Sequence, residues 1–155
     1  MKNINLMKIA KKIFPFNRSL TGNGTLKTLK FFKTINNQIS IKSVKSGQKV
    51  FDWKIPNEWN ANFAYFEDEK KKKYCDFKKN NLHLLGYSVK KKIRLSYNEL
   101  IKKIHFIKNK PNSIPYVTSY YKKDWGFCLS YRDFKKLNKK HKFFVNIDTK
   151  LKKGL

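Results

Sequence analysis

Residues 17–29 read NRSLTGNGTLKTL, with a guanidinium at Arg18, hydroxyls at Ser19 and Thr21, and two glycines one residue apart at Gly22 and Gly24. A glycine loop that opens a helix can cradle phosphate on bare backbone amides. The nucleotide fingerprints ask for more. A dinucleotide loop follows a strand and has a third glycine three residues after the second. Here Thr25, Leu26 and Lys27 follow Gly24, and the preceding segment has helical periodicity. A phosphate loop of the Gly-Lys-Ser/Thr type is absent as well. The stretch therefore reads as a glycine turn that opens a helix, with Thr21 or Asn23 as its cap.

The other reactive types form no complete constellation. His83, His105 and His141 are not spaced with another His, Cys or carboxylate as a metal site requires, and they read as structural. Asp52, Asp76 and Asp148 have apolar neighbours in sequence, which would raise their pKa on burial. No two carboxylates are placed for general acid/base work. Ser19, Ser119 and Ser130 lack a Gly-x-Ser-x-Gly elbow. Cys75 and Cys128 stand in no CxxC and read as buried thiols of a reducing compartment. Tyr116, Tyr120, Tyr121, Trp125, Phe127 and Tyr131 make either a stacking platform for bases or sugars, or core.

These residues must be held by a mixed set of elements. Leu6, Ile9, Ala10, Ile13 and Phe14 mark a first helix that packs on a core and stops at Pro15. Leu26, Leu29, Phe32 and Ile35 mark a second. Strand texture follows at Ile39, Ile41 and Val50, with a turn at Ser46-Gly47. The runs FAYF and YCDF flank a charged stretch, residues 67–73, as the arms of a hairpin. LHLLGYSV reads as a strand. Ser96-x-x-Glu99 is a capping box, and Leu100, Ile104 and Ile107 extend its helix over 96–108. PYVTSYY and WGFCLSY read as a hairpin around Lys122-Lys123-Asp124, Phe134 and Leu137 as a short helix, and KFFVNIDTKL as a last strand. That last strand calls for a partner, which leads to the expectation that the 155 residues are the front part of a longer protein.

A net charge of +27 invites a nucleic-acid reading. Against it, Lys outnumbers Arg 34 to 3 and is spread along the chain, alongside abundant Asn, Ile, Phe and Tyr, the residues of AT-rich codons. The expectation is no specific nucleic-acid partner. Lysines interrupt the N-terminal apolar run, and no stretch is long enough to span a bilayer, so the expectation is a cytoplasmic chain without a membrane partner.

Five ordered segments carry a resemblance: IFPFNRSLTGNGTLKTL (13–29), SGQKVFDWKIPNEWN (46–60), FKKNNLHLLGYS (77–88), IPYVTSYYKKDWGFCLS (114–130) and VNIDTKLKKG (145–154). Together they resemble the first third of a bacterial family of aminopeptidase-like proteins, labelled a domain of unknown function or polysaccharide biosynthesis protein with aminopeptidase-like domain. The resemblance implies an α+β chain. Residues 1–38 would supply the N-terminal helices of a zinc-exopeptidase-like α/β core. Residues 39–155 would form a mostly antiparallel, β-rich inserted domain, cut short at its end. It implies zinc for the full-length protein, held by a later Ser-Thr-His-x-Cys-His-Pro segment and by residues beyond it. None of those motifs occurs here, so the chain is assigned no catalytic residue, no metal ligand and no cofactor of its own. Arg18, Ser19 and Thr21 match the family's opening motif and would border the active-site cleft. Alternatively, Arg18 pairs with an internal acid and only fixes the fold. The implied partner is the rest of the aminopeptidase-like chain, or a second copy. Two other readings stay open: a stand-alone basic module binding nucleic acid or an anionic glycan, and a remnant without activity.

Overall fold

The computed structural model of the protein describes residues 5–154. These fall into two compact units, one running to Asn60 and including Lys152–Gly154, the other Ala61–Leu151. The division lies downstream of the change in sequence texture at 38–39.

In the first unit, α1 (Leu6–Ile13) begins at Asn5, whose side chain accepts the Lys8 amide at 3.0 Å. Its apolar stripe forms as expected, but none of its residues is buried; Leu6 is 75% and Met7 65% exposed. Helix α2 (Asn23–Ile35) is capped by neither Thr21 nor Asn23. Its N-cap is Gly22, at φ 107°, a backbone conformation that a side chain resists. The orphan amide of Asn23 is met instead by Asn60 Oδ1 at 2.8 Å. The expected strand around Ile39 and Ile41 does not form; residues 39–45 are irregular, and no ladder reaches them. The turn at Ser46-Gly47 is present and leads into a small hairpin of β1 (Lys49–Val50) and β2 (Trp53–Lys54).

The second unit is built on a sheet of four strands, β4-β3-β8-β5 in order: β3 (Glu58–Asp68), β4 (Lys73–Tyr74), β5 (Lys91–Ser96) and β8 (Lys142–Lys152). The β3–β4 hairpin is the one read from FAYF and YCDF, with Phe66 opposite Tyr74. The last strand, β8, finds neighbours on both sides, β3 and β5, so the partner it called for lies within this chain. Alternation along β8 sends Phe143, Val145, Ile147 and Thr149 inward. They meet Phe66 and Phe127, both fully buried, in a core of edge-on rings; Phe66 lies 5.2 Å from Phe127 and 5.8 Å from Phe143.

Three expectations of this unit are corrected. LHLLGYSV is not a strand. Asn80 caps a 3₁₀ turn at Asn81–His83, and Tyr87 at φ 64° breaks the pleat, leaving single bridges from Leu84 to Phe127 and from Gly86 to Thr118. The capped helix α3 is only Tyr97–Ile101, because the chain turns at Lys102-Lys103 and gives Ile104 to a ladder. That ladder joins β6 (Ile104–His105) to β7 (Phe127–Cys128) in parallel, so residues 116–131 are not a hairpin; the second run pairs with a distant segment. The short helix is present as α4 (Tyr131–Phe134), capped by Ser130. The whole is α+β, with its main sheet pairings antiparallel.

Candidate functional site

The loop before α2 is closed by its own backbone. The Ser19 hydroxyl donates to the Thr21 carbonyl, Thr25 Oγ1 donates to the Ser19 carbonyl at 2.6 Å, and Thr21 Oγ1 donates to the Asn57 carbonyl at 3.0 Å. Arg18 is exposed, and its Nη1 donates to the carbonyl of Ile13. Its hydrogen-bond partner here is thus a carbonyl and not the internal acid offered above as an alternative. The three residues Arg18, Ser19 and Thr21 do come together, but Ser19 and Thr21 give their hydroxyl protons to carbonyl oxygens.

The histidines do not share a site. His83 sits in the 3₁₀ turn, with Nδ1 2.9 Å from the Cys128 carbonyl. His105 lies on β6 and not on α3; burial lowers its pKa first, only partly countered by Asp124. His141 is tucked in, its Nδ1 3.4 Å from Asp68 Oδ2. Among the described residues no three of His, Cys, Asp and Glu gather where they could hold a metal ion. Cys75 and Cys128 are free and buried. Burial pushes the Cys75 thiol well above its ordinary value and the Cys128 thiol up to about 11, which keeps both protonated and unreactive at neutral pH.

Of the three aspartates singled out in the sequence, Asp76 accepts the Lys78 amide at 3.0 Å, and Asp148 departs from the expectation of a raised pKa. Asp148 is lowered, because the Asn62 amide donates to it at 2.8 Å and Lys90 pairs with it at 3.4 Å. No sequence motif marks Asp68. Burial alone would raise it, but the amides of Lys72 and Lys70 and the Tyr74 hydroxyl at 3.1 Å outweigh burial and hold it below its ordinary 3.8. Tyr74 is pushed up to about 12 by burial and by that same carboxylate.

The six aromatics offered as a platform are dispersed. Phe127 is core, Tyr131 packs on Phe106 and Phe134, Trp125 lies under Lys103, and Tyr120 and Tyr121 lie against each other with centroids 4.0 Å apart. A different set forms on the outward face of the four-stranded sheet. Register places Lys92 beside Asn146 and Arg94 beside Phe144, and alternation along β3 puts Tyr65 and Glu67 on that same face. Lys73 lies over the Tyr65 ring at 4.2 Å, and Arg94 and Lys71 over the Phe144 ring at 5.0 and 5.3 Å. Asn146 donates to the Tyr65 hydroxyl at 3.3 Å. Between them runs a groove of about 440 Å³. The signal for this face was the i, i+2 spacing within 63–67 and 142–148, but strands far apart in sequence contribute it.

With the fold and these geometries in hand, the chain belongs to the family described as Domain of unknown function (DUF2172), whose model matches residues 58–150. It is 41% identical, over 96% of its length, to a Clostridium acetobutylicum protein named "Putative polysaccharide biosynthesis protein with aminopeptidase-like domain". A crystal structure of a "putative peptidase" from Clostridium acetobutylicum matches over 95% of this chain with a TM-score of 0.90, also at 41% identity. In each case the chain spans 34% of the relative's length. No helix among the described residues is long and apolar enough to cross a membrane.

Proposed function

We propose that this chain is the N-terminal portion of a zinc-dependent aminopeptidase-like protein of the metallo-exopeptidase type, and that it is not catalytic by itself. The observation that carries this reading is the likeness along nearly the whole chain, at 41% identity, to relatives about three times as long. The residues present do not fit a zinc ion, since no three suitable donors converge among those described. The reading places the reacting groups in the part of the relatives that lies beyond this match.

Burial supports it. The second unit holds every buried apolar side chain among the described residues except Trp59. The first unit leaves Leu6, Met7, Phe14, Leu26, Leu29 and Ile35 at least 40% exposed. Helices with uncovered apolar stripes want a covering surface. The remainder of an aminopeptidase-like chain supplies one. A second copy is less suited, because two chains of charge +27 repel and lysines rim both helices. In this reading Arg18, Ser19 and Thr21 form a rigid border of the cleft, not reactive groups. The free thiols suit a cytoplasmic setting.

The test is a fusion of this chain to the remaining two thirds of the Clostridium acetobutylicum relative, assayed on an aminoacyl-4-nitroanilide with and without zinc. The chain alone should be inert, and the fusion should match the intact relative. Hydrolysis by the chain alone, or a folded fusion far below the relative, would sink the reading. A relative inert with zinc would sink its aminopeptidase half.

A further inference from the structure

We infer that the outward face of the four-stranded sheet is a binding site for an acidic sugar, a saccharide ring carrying a carboxylate. The groove there, about 440 Å³, is within the ~300–1,000 Å³ common to small-molecule sites. Its floor is two rings from the central strands, Tyr65 on β3 and Phe144 on β8. Lys73 lies over Tyr65, and Arg94 and Lys71 over Phe144, and against the parts of the rings that they leave bare the C–H face of a pyranose loses its contact with water.

The polar groups around the floor select the ligand. Arg94 lies over Phe144 and gives Nη2 to Glu69 at 3.1 Å, which holds its planar fork in place. It is one of three arginines in a chain with 34 lysines, and its fork matches a carboxylate. Lys92 lines the groove and enters no ion pair among the described residues. A carboxylate on the ligand answers Lys92 and the N–H groups of Arg94 that Glu69 does not take. Glu67 also lines the groove, 3.2 Å from Lys71, and Asn146 is oriented by its bond to Tyr65. Carboxylate and amide oxygens accept from the hydroxyls of a sugar.

The test titrates the 155-residue chain with trigalacturonate, maltotriose and a single-stranded oligo-dT, at about 150 mM salt so that loose attraction of exposed charges is screened. Trigalacturonate should bind saturably and maltotriose at least about tenfold more weakly, the worth of one charge-assisted contact. Arg94→Lys, which keeps the charge and loses the fork, and Lys92→Gln should each weaken trigalacturonate about tenfold with unchanged melting temperature. The double variant Lys108→Gln/Lys110→Gln, on an exposed turn away from the groove, should bind as the parent does. No binding of trigalacturonate, equal binding of maltotriose, equal weakening by the control variant, or tighter binding of oligo-dT through Arg94 would each overturn the assignment.

Discussion

Gly24 stands so close to Asn17 that a Cβ built on it would lie 1.8 Å from the Asn17 carbonyl oxygen. Gly22, two residues before, would bring a Cβ to 2.4 Å of the Trp59 carbonyl and already sits at φ 107°. The Gly-x-Gly pair is thus a place where the backbone passes close against two other segments, at Trp59 and at Asn17. Gly24→Ala should cost about 1–3 kcal/mol, the range of a substitution that overpacks a close contact. Amide exchange of α2 in the fusion to the remaining two thirds of the relative, where α2 is covered, measures this, since α2 would open first. An unchanged exchange pattern would show that the loop yields more easily than its contacts imply.

The carboxyl of Asp68 and the hydroxyl of Tyr74 share one hydrogen bond, and their shifts oppose each other. Asp68 is lowered in the fold, so its contribution to stability is complete above the unfolded value near 3.8 and fades as pH falls through the folded value. Tyr74 is raised to about 12, so its contribution is complete below 10 and fades as pH climbs from 10 toward 12. Urea midpoints should therefore fall at both ends of the pH scale. Asp68→Asn should flatten the acid limb and Tyr74→Phe the alkaline one. Parallel curves for parent and variants at both ends would contradict this assignment.

At α3 the Ser96 hydroxyl accepts the Glu99 amide at 3.4 Å, and Glu99 Oε2 accepts the Ser96 amide at 2.8 Å. Ser96→Ala removes half of this reciprocal cap and should destabilise the second unit by about 1 kcal/mol. Chemical denaturation followed by far-UV circular dichroism reports it.

Zinc should leave this chain unmoved. With no converging donors among the described residues, a metal has no native site to stabilise by linkage. The melting temperature should be the same in zinc and in chelator. A rise that saturates with zinc would reveal a site that the described residues do not account for.

Local signals were legible and non-local ones were not. The 3.6-residue stripes of Leu6–Phe14 and Leu26–Ile35, the Ser96–Glu99 box and the alternation of Phe143, Val145 and Ile147 each lie within one element, so spacing alone reveals them. The parallel pairing of Ile104 with Phe127 joins segments more than twenty residues apart, and Tyr87 breaks a promising apolar run through a backbone angle that its residue type does not announce. The sheet-face groove was hidden for the first of these reasons. Tyr65, Arg94 and Phe144 meet only once β3, β5 and β8 are in register. The Arg18 loop was visible as a motif, but its hydroxyls could be seen to serve backbone carbonyls only in three dimensions.

The account turns on whether the apolar stripes of α1 and α2 wait for a covering surface carried by the rest of an aminopeptidase-like chain. Amide hydrogen exchange on residues 6–35, compared between the 155-residue chain alone and the fusion to the remaining two thirds of the relative, measures this directly. Fast exchange in the chain alone and strong protection in the fusion is the expected result, with the amides of β3 and β8 protected in both. Equal protection of α1 and α2 in both proteins would contradict it.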